Sequence, residues 1–87
     1  MKVKHKKNGW IGSSSQFNIH GLGEMIVCYE DGCDSDFMRD YDVYIESKQE
    51  WVDMYDAFEQ HLIITDNYNT RFCEPTNDEE KERGYYL

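Results

Sequence analysis

Residues 24–30 read EMIVCYE and carry the clearest strand signal in the chain. The side chains alternate, so that Met25, Val27 and Tyr29 fall on one face of an extended segment. Asp31-Gly32 follows directly and is a dipeptide typical of tight turns. The stretch therefore predicts a strand that ends in a turn, and it makes an antiparallel sheet the first expectation for the fold.

The same alternation recurs on both sides of this strand. Residues 2–6 predict a first strand, and Asn8-Gly9 after it is the strongest short hairpin signal, because both turn positions tolerate positive φ. A returning strand begins at Trp10, and residues 12–15 (GSSS) predict a loop or a bulge that interrupts it. Residues 16–20 alternate again. Residues 40–46 predict a fourth strand whose inward positions are Tyr41, Val43 and Ile45.

Two helices are predicted after the strands. Residues 47–50 (SKQE) fit a capping box that starts with Ser47. Apolar residues then follow at helical spacing: Trp51, Met54, Tyr55, Phe58 and Leu62. A second capping box at residues 76–79 predicts a short C-terminal helix, and residues 62–65 and 71–73 predict short strands. We therefore expect one α+β domain over residues 1–87, a small antiparallel sheet of about four or five strands packed against one principal α-helix.

Acidic residues are concentrated between Glu24 and Glu59. This segment holds twelve carboxylates against Arg39 and Lys48, a local charge of −10, whereas the whole chain carries −9. The segment is also rich in aromatic residues, which argues against disorder. Such a surface favours basic partners, and it disfavours direct binding to nucleic acid or to an anionic membrane. The N-terminal lysines are expected to pair with the protein's own acidic face.

Four of the carboxylates recur every third residue along the predicted principal helix, about 4.5 Å apart along its axis. Duplex DNA carries about one charge per 1.7 Å, so a rigid row of carboxylates can take the place of phosphates in a basic groove. An acidic, solvated helix face explains the same spacing equally well. The candidate partner-binding residues are Asp34, Asp36, Asp40, Asp42, Glu46, Glu50, Asp53, Asp56 and Glu59, with Tyr41 and Tyr44 as exposed aromatic anchors.

In size and charge the chain is similar to small acidic phage proteins that mimic DNA and inhibit restriction or CRISPR nucleases, although no motif narrows this likeness of type to a family. The likeness implies a non-enzymatic inhibitor that binds a basic nucleic-acid-binding protein such as a nuclease or a restriction or CRISPR effector. The expected compartment is the cytoplasm, that of the host cell if the protein is viral. The alternatives are a small homodimeric accessory or assembly protein and a metal-binding module.

Other chemistries have thin support. Residues 31–36 (DGCDSD), which we expect to form a loop, are rich in oxygen ligands but depart from the calcium-loop pattern of an EF-hand. Cys28 and Cys33 form a single short pair where zinc usually takes two such pairs. With Cys73 they make an odd number, which favours free thiols in a reducing compartment. We expect no catalytic residue, no cofactor and no metal ligand.

Overall fold

A six-stranded antiparallel sheet forms most of the computed structural model, which describes residues 1–18, 23–65 and 71–76. Its strands are β1 (Lys2–His5), β2 (Ile11–Asn18), β3 (Glu24–Tyr29), β4 (Gly32–Phe37), β5 (Tyr41–Ile45) and β6 (Glu50–Asp53). A 3-10 turn (Met38–Asp40) joins β4 to β5, and the helix α1 (Met54–Glu59) follows β6. Two further strands, β7 (Ile64–Thr65) and β8 (Phe72–Cys73), pair with each other.

The strand order across the main sheet is β4-β3-β2-β1-β5-β6. The first four strands form a meander, and β5 returns to the free side of β1, so that β4 and β6 are the two edges. Local turn chemistry sets this meander, since Gly9 has a φ of 76° between β1 and β2. A bulge between Ser14 and Gln16 shifts the register of β2 against β3. The strands predicted near residues 2–6, 24–30, 40–46, 62–65 and 71–73 are confirmed.

The core lies on one face of the sheet. Val3, Val43 and Ile45 are fully buried there, and α1 covers them with Met54 and Ala57. The hydroxyl groups of Tyr29 on β3 and Tyr41 on β5 are hydrogen-bonded across this face, although β1 and β2 lie between those strands.

The predicted principal helix is wrong. Residues 46–49 form the turn of a hairpin, and Glu50–Asp53 are strand β6, paired with β5. Only the six residues Met54–Glu59 are helical, and Asp53 rather than Ser47 is the N-cap. Trp51, one of the apolar residues that predicted the helix, packs instead against the neighbouring strand. Its ring meets that of Tyr44 edge-to-face, with ring centroids 5.2 Å apart.

The fold class is corrected accordingly. The described chain is mostly β, and none of its helices reaches seven residues, so the expected α+β arrangement of a sheet packed on a principal helix does not form. The predicted C-terminal helix at residues 76–79 falls almost entirely outside the described residues. Within the described residues, no helix has the length and apolar character needed to span a bilayer.

The prediction that Cys28 and Cys33 are free thiols is also wrong. The acidic segment after Gly32 is not a loop but strand β4, which pairs with β3 along its whole length. That register sets Cys28 directly opposite Cys33, and the two cysteines form a disulfide. Because cross-strand neighbours lie within about 5.5 Å of each other, the hairpin itself brings the two sulfur atoms together.

Candidate acidic interaction surface

None of the twelve carboxylates between Glu24 and Glu59 is buried. Asp42 and Asp53 are half-buried neighbours, and the Lys6 ammonium binds both. Among the described residues this is the only cation in an ion pair with the segment, and it comes from outside it. The expectation that the N-terminal lysines pair with the acidic face is confirmed for Lys6.

The pairing of strands explains this contact. Asp42 of β5 lies directly opposite Asp53 of β6, and Lys6 follows β1, which is the other neighbour of β5. The Lys6 Nζ atom lies 4.0 Å from the nearer Asp42 oxygen and hydrogen-bonds Asp53. Two like charges at directly opposed positions destabilise a sheet, so a shared ammonium offsets that repulsion.

This contact shifts the pKa of Lys6 and the pKa of Asp53. The hydrogen bond to Asp53 raises the pKa of Lys6 above its usual value. Partial burial opposes ionisation of Asp53, but hydrogen bonds from Lys6 and from the Asp56 amide outweigh it, so the pKa of Asp53 is lowered. Both shifts favour the charged pair.

Asp53 has a second structural role. Its Oδ2 atom accepts a hydrogen bond from the Asp56 amide at 3.1 Å and so caps α1. Asp56 and Glu59 are exposed and lie one turn apart on the helix. Glu50 is exposed at the start of β6, and its position opposite the buried Ile45 puts it on the other face of the sheet from Asp53. The predicted row of four evenly spaced carboxylates therefore does not form.

Asp34 and Asp36 lie on β4, at the opposite edge of the sheet from β6. Asp34 is exposed, whereas Asp36 accepts a hydrogen bond from the Tyr41 hydroxyl at 2.8 Å. Tyr41 is only 1% exposed, which corrects its assignment as a surface anchor. Burial raises the pKa of the Tyr41 phenol, and hydrogen bonds with Tyr29 and Asp36 raise it further.

Glu46 and Asp40 form hydrogen bonds through their backbone atoms. The Glu46 amide donates to the Glu74 carboxylate at 3.0 Å, and the Ser47 hydroxyl donates to the same carboxylate at 2.7 Å. The Glu74 carboxylate therefore stabilises the β5–β6 turn. Ser47 contributes its hydroxyl to this turn and does not cap a helix. The Asp40 carbonyl accepts from the Lys6 amide at 2.8 Å, which ties the 3-10 turn to the end of β1.

Tyr44 is a half-buried member of an aromatic cluster on the face of the sheet opposite the core. The Lys2 ammonium lies 5.0 Å from the centre of its ring, and the Lys4 ammonium lies 4.4 Å from the centre of the Trp51 ring. These are cation–π distances. The chain's own lysines thus cover the aromatic surface that Tyr44 would offer to a partner.

The structure separates the predicted acidic residues. Asp42, Asp53 and Asp56 come together around the end of β6 and the start of α1. Glu59 lies at the end of α1, and Glu50 lies at the other end of the edge strand β6, on the opposite face of the sheet from Asp53. We call these five residues the β6–α1 surface. Asp34 and Asp36 lie apart from them on β4.

Sequence reasoning missed a groove at the β3–β4 turn. It has a volume of about 540 Å³ and is lined by Trp10, Ile11, Tyr29, Glu30 and Asp31. Trp10 and Ile11 are 63% and 52% exposed. A signal existed: Trp10 and Ile11 are adjacent large apolar residues at the start of the returning strand, and a small core rarely buries both.

No family model, curated protein or solved structure matches this chain. Within residues 1–18, 23–65 and 71–76, no group of three or more His, Cys, Asp and Glu side chains is arranged to hold a metal ion. The candidate site therefore rests on its own geometry and charge.

Proposed function

We propose that the protein is a non-enzymatic inhibitor that binds a basic nucleic-acid-binding protein through its acidic surface and so excludes the nucleic acid. One observation carries this proposal. Arg39 and Lys48, the only basic residues between Glu24 and Glu59, make no ion pair with the twelve carboxylates of that segment. Arg39 lies instead over the Phe37 ring, and Lys48 is exposed in a turn.

The physical reason is electrostatic. A surface with excess negative charge repels itself and adds nothing to the stability of the fold, but it attracts positively charged proteins and speeds their association. Rows of lysine and arginine that neutralise phosphates provide much of the affinity of proteins for DNA. Carboxylates without intramolecular partners are available to those same cations.

The β6–α1 surface is the part of the molecule best suited to this role. Its carboxylates stand on a strand and on a capped helix, so their positions are held by backbone hydrogen bonds. Asp56 and Glu59 are separated by about 4.5 Å along the helix axis. Rigid charges bind with a smaller loss of conformational entropy than charges on a mobile loop.

The proposed place of action is the cytoplasm, where nucleases and other nucleic-acid-binding proteins work. Stable disulfides are rare in that compartment. The oxidation state of Cys28 and Cys33 in freshly lysed cells, measured by thiol alkylation and intact mass, therefore tests this part of the proposal directly.

Affinity capture from the native cell tests the function itself. The bait is the wild-type protein, and a parallel bait carries Glu50→Gln, Asp56→Asn and Glu59→Gln, which remove three exposed charges. We expect the wild type to retain a nucleic-acid-binding protein that duplex DNA releases at constant ionic strength, and the neutralised bait to lose it.

A charge-conserving variant provides the control. Glu50→Asp, Asp56→Glu and Glu59→Asp change the same three side chains and keep their charge, so this bait should retain the partner. Equal capture by the neutralised and wild-type baits, or capture that duplex DNA does not affect, would refute the proposed function.

A further inference from the structure

The groove at the β3–β4 turn combines an exposed aromatic pair with two carboxylates. The rings of Trp10 and Tyr29 meet edge-to-face, with centroids 6.0 Å apart. Glu30 and Asp31 are the two turn residues between β3 and β4, and both are exposed. Neither has an ion-pair partner in the part of the chain that the structure describes. The groove thus presents aromatic surface next to uncompensated negative charge.

The groove is held in place from several sides. The Tyr29 hydroxyl is hydrogen-bonded to that of Tyr41, which donates to Asp36. The Tyr29 ring lies so close to Gly12 that a Cβ atom there would be 2.9 Å from two of its carbon atoms. The Trp10 amide donates to the Asn8 side chain at 2.8 Å. The Tyr29 ring and the backbone of Trp10 are therefore held in place before any partner binds.

A second Trp–Tyr pair in the same molecule shows what such a pair attracts. Trp51 and Tyr44 also meet edge-to-face, and the Lys2 and Lys4 ammonium groups lie over their rings. In the described residues, no lysine or arginine lies over Trp10 or Tyr29. The two clusters have the same aromatic composition, but lysines already lie over the rings of Tyr44 and Trp51, whereas the groove has no such cation among the described residues.

We propose that the groove binds an arginine side chain of a basic partner protein, an assignment that rests on the proposed function. A guanidinium group is planar, stacks on an indole ring and donates paired hydrogen bonds to a carboxylate. Trp10 provides the ring, and Glu30 and Asp31 provide the carboxylates. A lysine ammonium satisfies the charge but lacks the planar fork, so we expect it to bind more weakly.

Peptide titration followed by NMR tests this assignment. The probes are three capped pentapeptides, Gly-Gly-X-Gly-Gly, in which X is arginine, lysine or the uncharged isostere citrulline. The chain contains two tryptophans, so the indole N–H of Trp51 is an internal reference for that of Trp10. We expect the arginine peptide to shift the Trp10 signal saturably, the lysine peptide to do so more weakly, and the citrulline peptide to have little effect.

Variants locate the binding. Trp10→Ala should weaken arginine-peptide binding about 3- to 30-fold, the range expected for loss of a cation–π contact. Because Trp10 is largely exposed, we expect this variant to fold. Its binding is followed through the backbone amides of residues 29–32. Glu30→Gln with Asp31→Asn should weaken binding about threefold or more, whereas the matched charge change Glu50→Gln with Glu59→Gln should leave it near wild type.

Equal binding of the arginine and citrulline peptides, or unchanged binding by Trp10→Ala, would overturn the assignment. So would a Trp10 signal that shifts with protein concentration in the absence of peptide, since a second copy of the chain would then occupy the groove. None of these results removes the proposed function, which fails if the neutralised bait captures the partner as well as the wild type does or if duplex DNA does not release the partner.

Discussion

Asp42 of β5 and Asp53 of β6 occupy directly paired positions, and a single ammonium group, that of Lys6, binds both carboxylates. This directly opposed pair of like charges is thus compensated from within the chain. The neighbouring carboxylates of Asp56 and Glu59 have no such partner among the described residues. This contrast separates the acids that stabilise the fold from those available to a partner.

Removing the shared ammonium should destabilise the protein. Lys6→Gln leaves Asp42 and Asp53 opposed without a cation, and we expect the free energy of unfolding to fall by about 0.5–1 kcal/mol at low salt. Urea denaturation measures this change. Lys7→Gln is the control, because it alters the same charge at an exposed neighbour without an ion pair. In about 1 M salt the difference between the two variants should largely disappear.

Asp53 should show two separable contributions. Asp53→Asn keeps an N-cap acceptor for α1 but loses the ion pair, and we expect it to lower the free energy of unfolding by no more than about 1 kcal/mol. Asp53→Ala loses both interactions and should lower it by about 1–3 kcal/mol. Thermal and urea denaturation compare them. If the two variants were equally stable, the cap would have no energetic role.

Acid should remove the contribution of the ion pair. The lowered pKa of Asp53 means that its carboxylate stabilises the fold above its unfolded value of 3.8, and that this stability is lost as the pH falls through the lower folded pKa. At the alkaline end, the stability due to Lys6 is complete below 10.5 and is lost as the pH rises through its raised folded pKa. Urea denaturation between pH 2 and 6 should show a steeper loss for the wild type than for Asp53→Asn, and parallel curves would contradict this.

The Cys28–Cys33 disulfide should contribute modestly to stability. The two cysteines are five positions apart, and closing so short a loop restricts the unfolded chain by about 2 kcal/mol. Reductant should therefore lower the free energy of unfolding of the wild type by about that amount. The Cys28→Ser, Cys33→Ser variant should not respond to reductant. Alkylation of all three cysteines in the unfolded protein without reductant would contradict the disulfide.

Local patterns predicted β1, β3 and β5 of the main sheet. Asn8-Gly9 and Asp31-Gly32 mark turns by their own backbone preferences, and the alternation of Tyr41, Val43 and Ile45 reports one buried face. These signals depend on neighbouring residues only, so they can be read without knowing what packs against them.

The wrong predictions all concern residues whose structure depends on partners distant in the sequence. Residues 50–53 pair with β5, which overrides the helical spacing of Trp51 with Met54 and Tyr55. Strand β4 is the polar stretch GCDSDF, and its pairing with β3 has almost no side-chain signal. Because the sequence pattern does not predict β4, it does not predict the β3–β4 register that sets Cys28 opposite Cys33 either.

The candidate site was predictable in charge but not in arrangement. The excess of carboxylates is a property of composition, whereas their separation onto β4 and onto the β6–α1 surface follows from strand order. Adjacent Trp10 and Ile11 indicate an exposed apolar residue, but the groove also requires Tyr29 to be brought beside Trp10 by the pairing of β2 with β3.

Competition with DNA shows whether the acidic surface and a duplex bind the same site on the partner. A fluorescent duplex is bound to the captured partner and titrated with the wild type or with the Glu50→Gln, Asp56→Asn, Glu59→Gln variant, while anisotropy reports the bound duplex. We expect the wild type to displace the duplex completely and the variant to need about tenfold or more protein. A ternary complex in which the duplex stays bound at saturating protein, or equal displacement by the variant, would contradict the account.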